Sequence, residues 1–138
     1  MKEKDTHSIF ARIVKKHSNR LLSGKTSALW IDLKFVDTTK RNSLPFSEIS
    51  EHQERFMKMA TTGLVIYKNP DVGLARKPLD FIITSGAIAG VAILFYKPRR
   101  KKEFIVLMYD EILQAREECG RKSLTENLAK KYGKIFTI

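Results

Sequence analysis

Cysteine is almost missing from this chain. Cys119 stands alone, so no internal disulfide can form, and a reducing compartment is the simple inference. The segment from Met1 to Ser8 is polar and lacks the apolar core of a signal peptide. The longest apolar run, Gly86 to Tyr96, falls well short of the roughly 20 residues a membrane span requires. The expectation is a soluble, cytoplasmic protein with no membrane partner. The three histidines, His7, His17 and His52, are too scattered, even with the cysteine, for the usual zinc-ligand spacings. No nucleophilic triad is visible, and there are no repeats or low-complexity tracts.

Negative charge is also scarce. Lys and Arg number 26 against 15 Asp and Glu, which leaves a net charge of +11 on 138 residues. A surface of that kind should bind polyanions, with nucleic acid first and an anionic membrane second. The alternative is a charge that only keeps the protein soluble. The length suits one domain, spanning 1–138, and the 43% hydrophobic content suffices for an ordinary core.

The most informative stretch is Ala28-Leu29-Trp30-Ile31-Asp32-Leu33-Lys34, which reads as a strand. Its polar residues, Asp32 and Lys34, are two apart, so they share one face of an otherwise apolar ribbon. Burying charge is costly unless it is paired or holds a metal. A Mg²⁺ site needs one or two carboxylates with waters and phosphate oxygens, and a nearby lysine can stabilise developing charge. The other reading is an edge strand whose Asp-Lys pair faces water.

Around it, Asp5 or Thr6 can cap a helix running to about His17, with Ile9, Phe10, Ile13 and Val14 on one face. Arg20 to Leu22 suggests a short strand and Ser23 to Thr26 a turn. The Gly24-Lys25-Thr26 triplet is not a phosphate loop, because the upstream glycine of that motif is missing and a strand follows instead of a helix. Thr38 to Ser43, with Lys40 and Arg41, is a basic loop. Ser47 or Ser50 starts the next helix; Ser50 with Gln53 fits a capping box, and Phe56, Met59 and Ala60 supply a core face. Leu64 to Tyr67 reads as a strand, Asn69 to Gly73 as a turn, and Pro78 opens a short helix through Ile83. Val91 to Tyr96 and Phe104 to Tyr109 form a hairpin whose turn carries Arg99, Arg100, Lys101 and Lys102. Asp110 to Cys119 is a helix stopped by Gly120. Ser123 with Glu126 fits a second capping box, for a helix ending near Tyr132, and Ile135 to Ile138 adds an edge strand. This order describes a mixed α/β sandwich around a central sheet.

These pieces have a recognisable arrangement. Ile31-Asp32-Leu33-Lys34 is followed by a loop with Pro45-Phe46 and then by a helix bearing His52-Gln53. The chain, from about residue 20 to 110, resembles the PD-(D/E)XK nuclease superfamily. Within it, the chain is most similar to Holliday junction resolvases of the RecU type and their archaeal and viral relatives. The resemblance implies a restriction-endonuclease-like core with a mixed sheet flanked by helices. It implies hydrolysis of DNA phosphodiester bonds with Mg²⁺ or Mn²⁺ in recombination and repair, by a homodimer on branched DNA. Carried over, Asp32 is a metal ligand, Lys34 positions the attacking water, and Gln53 supports the water or a phosphate. The family's further acidic residue would fall near Ser18-Asn19, where Asn19 offers an amide oxygen as a metal ligand; otherwise a second carboxylate would come from Asp37, Asp71 or Asp80. Lys40, Arg41 and the cations of residues 99–102 are candidate phosphate contacts on the DNA. The second reading is a catalytically degenerate DNA-binding protein on the same scaffold. The third is an RNA-binding or ribosome-associated protein.

Overall fold

The most apolar stretch of the chain takes the middle of the fold. In the computed structural model, which describes residues 4–22, 28–68 and 80–137 without the side chains of residues 4, 18, 19, 21 and 22, strand β5 (Ile88–Tyr96) is buried from Ala89 through Phe95. A strand covered on both faces needs no polar alternation, which is why this run is continuous. Strand β1 (Leu29–Asp37) lies parallel to it on one side and β6 (Glu103–Met108) antiparallel on the other. Strand β8 (Lys134–Thr137) completes a mixed four-stranded sheet in the order β1-β5-β6-β8. Gly90 faces the β6 backbone so closely that a Cβ would stand 2.9 Å from Met108 Cα and nearer still to the Leu107 carbonyl oxygen.

The alternation along β1 sorts the helices onto two faces. Leu29, Ile31, Leu33 and Phe35 join Ile9 and Ile13 of α1 (Lys4–Leu22), together with Leu94, Phe104 and Phe136. Trp30 and Val36 join the opposite core, which holds Met57 and Ala60 of α2 (Glu51–Thr62), Ile112 and Ala115 of α3 (Tyr109–Cys119) and Ala129 of α4 (Glu126–Tyr132). Asp32 and Lys34 have the parity of Trp30 and Val36, so they face α2. A parallel pair needs a long crossover, and the chain between β1 and β5 supplies α2. It also supplies β2 (Ser43–Pro45), which pairs with β7 (Ser123–Thr125), and a hairpin of β3 (Leu64–Lys68) with β4 (Phe81–Ser85). The fold is thus α/β, with a mixed central sheet and four helices among the described residues.

Several expectations need correction. Residues 20–22 are not a strand: helix α1 bends at His17 (φ −125°, ψ 19°) and continues to Leu22, with the Arg20 guanidinium 4.8 Å from the Phe136 ring centre. Local sequence reads the bend as an end, and the contact with β8 carries the helix past it. The helix expected to reach Ile83 is replaced there by strand, since Phe81–Ser85 is β4. Residues 69–79, with Pro78 and Asp71, lie outside the described set, and Phe81 onward pairs with β3. Ile82 and Ile83 are branched side chains that suit a ladder once a partner strand is present. Met59 is 46% exposed, whereas Met57 is buried, because α2 meets the sheet along Gln53, Met57 and Ala60. Ser123 does not cap α4. It is held in β7 by pairing with Pro45, and Thr125 caps instead, accepting from the Leu128 amide at 3.3 Å.

Candidate functional site on the edge strand

Asp32 and Lys34 sit on β1, which among the described residues has β5 on one side and no strand on the other. Their side chains touch: Lys34 Nζ is 2.9 Å from Asp32 Oδ2, and the two side chains are 16% and 30% exposed, respectively. The pair therefore does not point into open solvent. Asp32 Oδ2 is itself buried and makes no well-directed hydrogen bond, so the lysine compensates it through charge alone. Lys34 Nζ also donates to Gln53 Oε1 at 3.2 Å.

That glutamine arrives on the first turn of α2 by a local mechanism. Ser50 Oγ accepts from the Gln53 amide at 3.2 Å, and Gln53 Oε1 accepts from the Ser50 amide at 2.9 Å. This reciprocal pair is a capping box. One oxygen, Gln53 Oε1, thus closes the helix cap and receives the Lys34 ammonium. The cap sets the position of the side chain, and the side chain joins helix to strand. An ammonium has three donors. Gln53 engages one of them and Asp32 takes none in a directed bond, which leaves N–H groups for a water or a phosphate oxygen.

Beside the carboxylate lies a pocket of about 260 Å³ lined by Trp30, Asp32, His52, Gln53 and Phe56. Trp30 is fixed in its wall by an edge-on contact with Phe56, with centroids 5.1 Å apart, and by a hydrogen bond from Nε1 to Thr84 Oγ1 at 3.0 Å. The β3–β4 hairpin therefore steadies the site from outside the main sheet.

Asn19 stands on the last turns of α1, and its side chain is among those outside the described set. The α1–β1 connection, residues 23–27, reads Ser-Gly-Lys-Thr-Ser and contains no acidic residue. Asp37 is engaged away from Asp32: it accepts from Thr39 Oγ1 at 2.6 Å and from the Thr39 amide at 3.0 Å, and these bonds hold its carboxyl below the usual range. Among the described residues no three His, Cys, Asp or Glu side chains are grouped to hold a metal. Sequence reading missed Glu48. Its charge interacts with Lys34, although Arg41 is its main partner and the chief reason its carboxyl is held low. Only its place two residues before the Ser50 cap could have signalled it.

The basic candidates fall into two groups. Arg41 and Arg100 are committed to carboxylates. Arg41 forms a two-point ion pair with Glu48, one bond at 3.0 Å, and Arg100 forms a two-point pair with Glu126, one bond at 3.0 Å. Lys40, Arg99, Lys101 and Lys102 are exposed, and Arg99 adopts φ 62° at the tip of the β5–β6 turn.

Comparison of the chain with family models, with curated proteins and with solved structures finds no match in any of the three. Among the described residues no helix is long and apolar enough to cross a membrane.

Proposed function

We propose that the chain is a metal-dependent, structure-selective DNA endonuclease with a restriction-endonuclease-like core, acting in the manner of a Holliday junction resolvase. The observation that supports this reading is the Asp32–Lys34–Gln53 chain of contacts on the inner face of the edge strand. Spacing alone put Asp32 and Lys34 on one face; that a glutamine from the following helix reaches the same ammonium is a tertiary coincidence that a plain surface ion pair does not require.

Mg²⁺ or Mn²⁺ fits this site in a limited way. Mg²⁺ is held by one or two carboxylates and takes its other oxygens from water and phosphate. Asp32 supplies one carboxylate, and its buried Oδ2 lacks a directed donor. Gln53 Oε1 already accepts two hydrogen bonds. Such a site holds an ion weakly until the DNA phosphate contributes oxygens. A bound ion would supply Lewis-acid polarisation of the phosphate and of a water. The protein's own part is electrostatic: Lys34, fixed by Gln53, directs a further N–H at the attacking water or at charge developing on the phosphate. The net charge of +11 draws the polyanion in. Branched DNA is the proposed substrate and a homodimer the proposed working unit.

The lack of a grouped acidic triad among the described residues favours one alternative, a DNA-binding protein on the same scaffold that does not cut. One assay separates the two. A four-way junction and a linear duplex of the same sequence are incubated with the protein and Mg²⁺ or Mn²⁺. The junction should be cut and the duplex spared, and Asp32→Ala should bind the junction without cutting it. Cleavage by Asp32→Ala at the wild-type rate removes the site. Binding without cleavage under either ion leaves the alternative standing.

A further inference from the structure

Beyond the far end of β1 lies a second cleft, of about 420 Å³, lined by Asn42, Lys97, Arg100, Arg121, Glu126 and Asn127 among others. Its walls come from four distant parts of the chain, which backbone contacts bring together. Thr38 leaves β1 with its amide and hydroxyl both donating to the Tyr96 carbonyl, at 2.9 and 2.7 Å, so Lys97 stands beside the start of the basic loop. Ser43 pairs with Thr125, which sets Asn42 next to Glu126 and Asn127. The Phe46 amide donates to the Lys122 carbonyl at 3.0 Å, which holds the Arg121–Lys122 segment against the same loop.

The charges in this cleft do not cancel. Glu126 is its carboxylate, and that group is already shared by Arg100 and by Lys130, whose Nζ is 3.0 Å away. Lys97 and Arg121 have no carboxylate partner among the described residues, and the Asn42 and Asn127 amides make no side-chain hydrogen bond there. The result is a cradle whose Arg100–Glu126 pair is charge-neutral, lined as well by two cations without a carboxylate partner among the described residues and by two amides. That set suits a phosphate oxyanion, with a guanidinium and an ammonium to neutralise it and amides to donate to its oxygens.

We infer that this cleft is a second phosphate subsite, which grips the DNA backbone at a distance from the Asp32 centre. The inference rests on the nuclease reading for the identity of the polymer. Thr38 is six residues beyond Asp32, so the two sites are about 20 Å apart along the strand. At a rise of 3.4 Å per step, the gap is about six base pairs of one duplex arm. Arg100 thus serves as the fixed wall of the subsite through its bond to Glu126, and Lys97 and Arg121 make the contact.

The test compares two double variants of the full chain, with binding to a fluorescent four-way junction measured by anisotropy across a salt series. Lys97→Ala/Arg121→Ala removes the two cations. Lys15→Ala/Lys16→Ala removes two exposed cations of α1, on the other face of the sheet, and controls for net charge. The log–log salt slope should fall by about 2 for the first and stay unchanged for the second. In parallel, the Asn42 and Asn127 side-chain amide resonances should shift when the junction is added to the wild type. Equal loss in both variants, or an unchanged slope in the first, overturns the subsite and leaves the nuclease reading intact. No binding of the junction by the wild type overturns both.

Discussion

Replacing Lys34 with methionine keeps the length of the side chain and removes its charge. The consequence can be worked from the contacts. The ammonium is the close counter-charge of Asp32 Oδ2, at 2.9 Å, and a hydrogen-bond donor to Gln53 Oε1, at 3.2 Å. Gln53 Oε1 keeps the Ser50 amide after the change, so it is not orphaned. Asp32 Oδ2 is buried, has no directed donor and is compensated by the Lys34 charge alone. Leaving a buried acceptor uncompensated costs about 1–3 kcal/mol. Asp32 as a whole is 30% exposed, so water reaches part of the carboxylate, and the lower half of that range, about 1–2 kcal/mol, is expected. Urea unfolding followed by the emission of Trp30, the sole tryptophan, reads the change directly. Asp32→Asn/Lys34→Met completes a cycle, in which touching partners should couple by about 0.5–3 kcal/mol. On the proposed activity the loss is larger. Removing one pre-positioned electrostatic donor lowers kcat by about 100- to 1000-fold, measured as single-turnover cleavage of the junction. Zero coupling in the cycle would show that the two side chains are independent in solution. Wild-type cleavage by Lys34→Met would remove the lysine from the reaction.

Other consequences follow from single features. Ser50→Ala should destabilise by about 1 kcal/mol through loss of the helix cap; because Gln53 also meets Lys34, it should slow cleavage as well, whereas cleavage at the wild-type rate would show that the cap does not position the site. Gly90→Ala forces a Cβ against the β6 backbone, which cannot yield as a side chain would, so a loss of about 3 kcal/mol or failure to fold is expected, and a wild-type melting temperature would contradict the sheet register. Arg100, and after it Lys130, holds the Glu126 carboxyl below its ordinary value of 4.5. A carboxyl depressed on folding contributes stability that is full above its unfolded value and is lost as pH falls through the folded one. Acid titration of stability should therefore be less steep in Glu126→Gln than in the wild type below that ordinary value, and identical acid profiles would refute the pairing.

Much of the scaffold could be read from the chain because local rules and tertiary packing agree there. A continuous apolar run became the central strand, the Ser50-Gln53 pair became a true cap, and Gly120 in the left-handed region (φ 59°) closed α3. The misreadings fall where a distant partner overrode local preference. The pairing of Pro45 with Ser123 moved the α4 cap to Thr125, and β3 drew Phe81 to Ser85 into a ladder. The basic segments show the same limit. Composition counted Arg41 and Arg100 among free cations, but Glu48 and Glu126, neither adjacent in sequence, neutralise them. The second cleft was not legible, since its walls come from loops that only the β2–β7 and β1–β5 pairings bring together.

For the candidate site the division is clear. A period of two on a strand is a property of the backbone, so the sequence alone determined that Asp32 and Lys34 share a face. Which face that was, and what covered it, depended on how β1 docks against β5 and on where α2 lands. Only the tertiary structure decided that Gln53 meets Lys34 and that Trp30 and Phe56 wall a pocket beside Asp32. Periodicity is encoded residue by residue, but contact across the fold is set by the packing of whole elements, which no single segment specifies.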